Sequence, residues 1–247
     1  VPSAEYGDLS SGMVKINTRK GRTPVNLTFS VNPRTYQTSV SKGIDLQENN
    51  GVLNLSAEWA RAVKKLISPY ESYTRTGISL GYSNTFAKGL RFEAGFTGNI
   101  GGMNTKDDPD AFTGEFQKER DNAFRGNTSL TWQLNKPGVT NLKFDASVNF
   151  NDNLYHYHKY ESYASNQPAV HAEQEGYFIA GRLPLTFFSD QIIDSKELDL
   201  AASVKYNWHK RWDDVKSQLK AGVQWKASGN VGEGEYYQDP SLAANGY

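Results

Sequence analysis

The run Tyr155-His156-Tyr157-His158-Lys159-Tyr160-Glu161-Ser162-Tyr163 gathers the side chains best suited to holding a ligand. In a strand, His156 and His158 point to one side and Tyr155 and Tyr157 to the other. Imidazole is a good metal ligand, and a phenol ring can stack on a sugar or a haem edge. Tyr155, His156, Tyr157, His158, Tyr160, Tyr163 and, further on, Arg182 are therefore candidate ligand contacts. Two His without a placed third ligand do not define a metal site, so the plain reading is a strand whose aromatics mark an interface. Asp107, Asp108 and Asp110, with Asn104 nearby, form an oxygen-rich cluster that is a weak calcium candidate. Their spacing does not match the EF-hand loop, and an acidic loop tip is ordinarily just solvated. No His-Glu-x-x-His pair or phosphate-cradling glycine loop occurs, so neither an enzyme nor a cofactor is expected.

The elements that must position these residues announce themselves by alternation. Leu53, Leu55, Ala57 and Trp59 oppose Asn54, Ser56 and Glu58, and Leu142, Phe144, Ala146, Val148 and Phe150 oppose Lys143, Asp145, Ser147 and Asn149. Period two means a β-strand between two different environments. The pattern predicts nine strands, over 25–31, 36–46, 52–63, 74–86, 90–100, 123–134, 142–150, 198–209 and from 219 onward. The turns at 87–89 and 135–141 are tight, whereas 102–122 and 152–196 are expected to be long polar loops. Aromatics recur along the apolar set, among them Trp59, Tyr82, Phe86, Trp132, Phe150, Tyr206, Trp208 and Trp225. Aromatic girdles, short turns on one rim and long loops on the other are features of an outer-membrane barrel, which leaves the polar set facing the lumen.

Composition removes several alternatives. In 247 residues, 27 basic and 27 acidic side chains cancel, which gives no reason to expect nucleic acid as a partner. With no cysteine there are no disulfides, thiolate zinc sites or cysteine nucleophiles. No apolar stretch is long enough for a transmembrane helix, but that test is blind to barrels, in which only alternate residues meet lipid. The chain begins without a signal stretch, so a mature chain or a fragment is expected. About nine strands would leave two unpaired edges in lipid, so a partial barrel is expected rather than a closed one.

Residues 2–21 carry a more specific signal in Tyr6, Gly7, Ser11, Gly12, Met13, Val14, Ile16, Thr18, Arg19 and Gly21. The segment resembles the end of the plug domain of TonB-dependent outer-membrane transporters of the Bacteroidetes type, where a Tyr-Gly turn and small residues lead into a strand closing on Thr-Arg/Lys-x-Gly. Where the subclass associated with starch-type glycan uptake carries Ala-Asn-Gly, this chain has Ser10-Ser11-Gly12. The resemblance implies an all-β chain, with residues 1–22 ending the plug and 23–247 forming the N-terminal part of an antiparallel transmembrane β-barrel of roughly 22 strands.

The same resemblance implies energy-coupled uptake of a scarce or bulky nutrient, such as an iron chelate, glycan or peptide, across the outer membrane. Its partners would be the TonB energy-coupling complex, reached through segments absent here, the outer-membrane lipid and the nutrient ligand. A surface lipoprotein acting as a lid is a further candidate partner. The apolar stretch 181–188 would fold back as a lid or hairpin, meet that lipoprotein or, more plainly, pack within its own loop. Plug residues Lys15, Arg19 and Lys20 would face wall charges Glu58, Arg91, Glu93, Lys143 and Asp145, the plainer reading being a hydrated polar lumen. The alternative is a non-transporting barrel that serves as scaffold subunit of an envelope complex. A soluble solenoid or adhesin is disfavoured, because no constant repeat period is visible.

Overall fold

The computed structural model describes residues 21–47, 50–66, 70–86, 89–105, 114–136, 138–162, 168–171, 179–182, 186–212 and 215–238. Among them the fold is all β, with no α-helix. Strands β1 (Thr23–Asn32), β2 (Thr35–Asp45), β3 (Val52–Val63), β4 (Glu71–Phe86), β5 (Leu90–Thr105), β6 (Phe116–Lys136) and β7 (Val139–Ser162) follow one another as antiparallel neighbours. A separate two-stranded hairpin, β8 (Pro168–His171) and β9 (Ile179–Arg182), comes next in the chain. The meander resumes with β10 (Thr186–Trp212), which pairs β7, and β11 (Val215–Asn230), which pairs β10.

The last strand, β12 (Gly234–Gln238), also pairs β10, higher up. Its register continues that of β11 with one residue added, since Leu198 faces Gly229 but Asp194 faces Gly234. β11 and β12 are thus one strand interrupted by a bulge. Two side chains hold that bulge. Asn230 Oδ1 accepts from the backbone N–H of Lys196 and of Gly232, each at 2.9 Å, and Asp194 Oδ2 accepts from the N–H of Glu233 at 3.1 Å. Gly232 is obligatory here, because a Cβ would lie 2.3 Å from the carbonyl oxygen of Asp194.

Where the sequence suggested loops at 102–122 and 152–196, the structure instead extends the neighbouring strands. β7 runs 24 residues and β10 runs 27, paired without a break from Asn141↔Asn207 to Ser162↔Thr186. Alternation was the evidence for strands, and above Phe150 both faces become polar, so the contrast fades while the backbone ladder persists. The apolar stretch near 181–188 is divided. Its start belongs to the β8–β9 hairpin, and Thr186 onward belongs to β10. The tight turns are where the sequence put them, with Gly89 (φ 75°) and Asn135 (φ 49°) in left-handed conformations that these two residue types tolerate.

Among the described residues the sheet is open, with β1 at one edge and β11–β12 at the other. Its polar face is concave. A cavity of about 670 Å³ is lined by Asn26 of β1, Ser56 of β3, Ser79 of β4, Glu93 of β5 and Asn127 of β6, so the sheet curls around that side. The opposite face is apolar, and among the described residues nothing covers it. Among the described residues only Ile192 is a buried apolar side chain, whereas Val223 is 76% exposed, Val31 72% and Phe29 68%. A soluble sandwich would close a second layer over such a face.

The apolar face ends sharply on the long strands. Phe124, Phe150 and Leu198 form one cross-strand row, the two rings near-parallel with centroids 6.4 Å apart. One row higher the same face carries Asn122, Asp152 and Lys196. Apolar and charged surface therefore meet along a single line across β6, β7 and β10.

Candidate functional site

Below that line the concave face carries the charges singled out from the sequence, and they find partners within the sheet. Glu58 accepts from Arg75 Nη2 at 2.9 Å, and Arg91 bridges Glu93 at 2.6 Å. Asp145 lies 2.9 Å from Lys143 Nζ and 3.7 Å from Lys205 Nζ, and it accepts from Ser129 Oγ at 2.8 Å. These pairs are partly exposed, so each contributes on the order of 1 kcal/mol or less. Their expected plug partners Lys15, Arg19 and Lys20 lie outside the described residues, as do Tyr163 and the calcium candidates Asp107, Asp108 and Asp110. Arg182 is placed by its backbone, opposite Pro168 in the β8–β9 hairpin.

Above the line, the aromatic and His run of β7 divides between the two faces. His156, His158 and Tyr160 extend the apolar, convex side, and Tyr155 and Tyr157 extend the concave polar side. On the convex side Asp190 of β10 gathers both imidazoles, His156 Nε2 at 2.7 Å and His158 Nδ1 at 2.9 Å, on one carboxylate oxygen. Phe116 and Phe188 flank His158 with near-parallel rings at 4.8 and 4.6 Å, and Tyr160 meets Phe188 edge-on. Burial works to raise the Asp190 carboxyl, but hydrogen bonds and charge from the two His outweigh it, and the group lies below the usual carboxylate range. Among the described residues no cluster of three ligating groups is arranged to hold a metal ion, and here the carboxylate occupies the imidazole nitrogens that face it.

Between this cluster and the apolar line lies a second polar network. Arg120 Nη2 is 2.7 Å from Asp152, and Lys196 Nζ is 2.8 Å from Asp194. Asp194 is 4% exposed. The Lys196 ammonium and the Glu233 N–H hold its carboxyl below the ordinary range. Buried in this way, it ties the bulge of the edge strand to the charged row.

On the concave side, the Tyr155 and Tyr157 rings are parallel within 5°, their centroids 6.5 Å apart, and Lys159 Nζ sits 5.1 Å from the centre of the Tyr157 ring. On β6, Gln117 and Glu119 stand opposite Tyr157 and Tyr155, and the amide of Gln117 donates to Glu119. On the other flank Gln191 of β10 stands opposite Tyr157 and donates to Glu235 of β12 at 2.7 Å. Burial, then the charge of Glu119 and the neighbouring Tyr155, pushes the Tyr157 hydroxyl up, so it stays neutral and a donor.

Asp190, Phe116, Phe188 and the two amide–carboxylate pairs were not singled out from the sequence. The signal that could have found them is alternation continued into 116–122 and 186–196, with Phe188, Asp190, Ile192 and Asp194 on one face. Even so, their pairing with β7 depends on a register spanning some thirty residues of intervening chain. In comparisons with known proteins, the chain matches no family model, no curated protein and no solved structure.

Proposed function

We propose that this chain is the wall of an outer-membrane β-barrel of the TonB-dependent transporter type, acting in energy-coupled nutrient uptake. The observation that carries the reading is the uncovered apolar face of a nine-strand antiparallel meander, backed by a concave polar face. In water such a face is a large liability; in lipid it is the solvent-exposed surface. The dimensions agree. On β10 the apolar set runs from Leu198 to Trp208, about 34 Å along a strand at ~3.4 Å per residue. A tilt of roughly 40° turns that length into about 26 Å of thickness, close to the ~25 Å apolar band of such barrels.

On this reading the row Asn122, Asp152 and Lys196 marks the outer interface, and the upper parts of β6, β7 and β10 stand above it. The concave face becomes the lumen wall, its charges paired along the wall. The free edges of β1 and β11–β12 require strand partners in lipid, supplied by a longer chain or by a second one. Transport in particular is supported by the plug-like segment ending at Gly21.

The test is uptake. Cells carrying the protein are given candidate nutrients with and without a functional TonB complex. Accumulation that disappears without coupling is the expected result. Uptake that persists unchanged overturns the transporter reading and favours the scaffold alternative.

A further inference from the structure

We propose that the seam between β5 and β6 is a latched hinge, at which the outward tip of β4 and β5 (71–76 with 100–105) swings away from the panel of β6, β7, β10 and β12 and widens the mouth of the concave face. It goes beyond the transporter reading and does not depend on it, since it stands on the pairing of the sheet alone.

Pairing supplies the first argument. The β5–β6 ladder is continuous from Leu90↔Trp132 to Asn99↔Ala123, and the same register returns at Asn104↔Lys118 and Thr105↔Gln117. The four pairs between them, Ile100 to Met103 against Asn122 to Glu119, are missing. Neither neighbouring seam shares the gap. β4 pairs β5 at every position from Thr76↔Ile100 to Glu71↔Thr105, and β6 pairs β7 at every position from Ala123↔Asn151 to Phe116↔His158. Tip and panel are thus each bonded more fully within themselves than to one another, and a sheet opens first where its ladder is thinnest.

The main chain at the gap is built for a bend. A methyl group at Gly102 would stand 1.7 Å from the Glu119 carbonyl oxygen, and one at Gly101 would stand 2.5 Å from the Thr74 carbonyl oxygen. Side chains of a flat sheet point away from its ladder, so a β6 carbonyl in the place of a Gly102 side chain means that β6 has stepped out of the plane of β5. Two successive glycines also give the strand rotational freedom that other residues lack.

Polar side chains divide along the same seam. On the tip, Arg75 bonds Glu58 of β3 at 2.9 Å and Glu71 bonds Lys64 at 2.8 Å. On the panel, Arg120 and Asn122 both bond Asp152 of β7, at 2.7 and 3.3 Å. Among the described residues two polar side-chain contacts span the gap. Asn122 Oδ1 accepts from the Gly101 N–H at 3.2 Å, and the Tyr73 hydroxyl reaches over Gly101 to Asp121. One amide and one phenol stand where a stretch of ladder would be, and they form the latch.

The experiment is pulsed electron spin resonance on the full-length protein in lipid nanodiscs. This chain holds no cysteine, so within it spin labels attach only at engineered sites. One label pair is Asn104→Cys with Ile193→Cys, and the other is Lys118→Cys with Ile193→Cys. Asn104 and Lys118 face one another, so the pairs differ in whether the seam lies between the labels. Removing the latch with Asn122→Ala and Tyr73→Phe should at least triple the share of a longer distance in the 104–193 pair, displaced by up to one strand spacing of ~4.8 Å. The 118–193 distribution should stay as it is in the native latch background, which also shows that the panel is folded.

Two results would overturn the proposal. A 104–193 distribution unchanged by loss of the latch would make the seam a static crease. Equal broadening of both pairs would mean that the panel frays as a whole and that no hinge separates it from the tip.

Discussion

At the scale of single residues, Asp190 carries the most consequence for the long strands. One oxygen accepts from two imidazoles on β7, so the residue fastens β10 to β7 far above the apolar line. Replacing it with Ala strips both His of their shared acceptor, and a loss of about 1–2 kcal/mol is expected. Hydrogen exchange over the upper thirds of β7 and β10 should report it. The pH dependence follows from the lowered carboxyl. Its stabilisation is present above the unfolded value near 3.9 and is lost as pH falls through the lower folded value. Exchange in this region should therefore accelerate in acid below about pH 4 in the native protein and show no such step in Asp190→Ala. His156 and His158 were legible from the sequence as a same-face pair. Their acceptor was not, because spacing along β7 says nothing about which residue of β10 comes to rest beside it.

At the scale of elements, what the sequence revealed depended on contrast between the two faces. Leu142 to Phe150 alternates with Lys143 to Asn149, and that stretch of β7 was evident. Above it Asp152, Leu154, His156 and His158 alternate with Asn153, Tyr155 and Tyr157, and two mixed faces gave no period to detect. The strand continues because its ladder with β6 and β10 continues. The bulge between β11 and β12 was hidden for another reason, since the glycine-rich stretch 229–234 reads as a loop unless Asp194 and Asn230 are known to bind it. Gly232→Ala puts a methyl group against the Asp194 carbonyl, and a cost of about 2 kcal/mol or more is expected. The effect should be local. Amides of 234–238 should lose exchange protection while those of 215–230 keep theirs, and equal loss in both would mean that the bulge is not a separable joint. Asp194→Ala removes the acceptor of Lys196 Nζ and of the Glu233 N–H and should open the same joint, by about 1–3 kcal/mol.

At the scale of the whole molecule, the question is which solvent meets the convex face. Phe144 and Val148 lie in the middle of that face, while Ser147 lies between them on the concave side and is paired with Asn127 and Ala201. If lipid covers the convex face, an Arg at position 148 must take its charge into hydrocarbon, and the cost is about 2–4 kcal/mol near the midplane. An Arg at position 147 enters a wet lumen beside Asp145 and should cost less than about 1 kcal/mol. If instead the sheet stands in water, Val148→Arg relieves an exposed apolar patch and costs nothing, since Val148 is already 40% exposed. Reversible denaturant unfolding from lipid vesicles, carried out on the full-length protein, separates these cases by sign. A large penalty at 148 with a small one at 147 fixes the convex face as the lipid surface. Equal and small effects at both positions would remove the membrane, and the lumen with it, so that the concave tyrosines would face ordinary solvent.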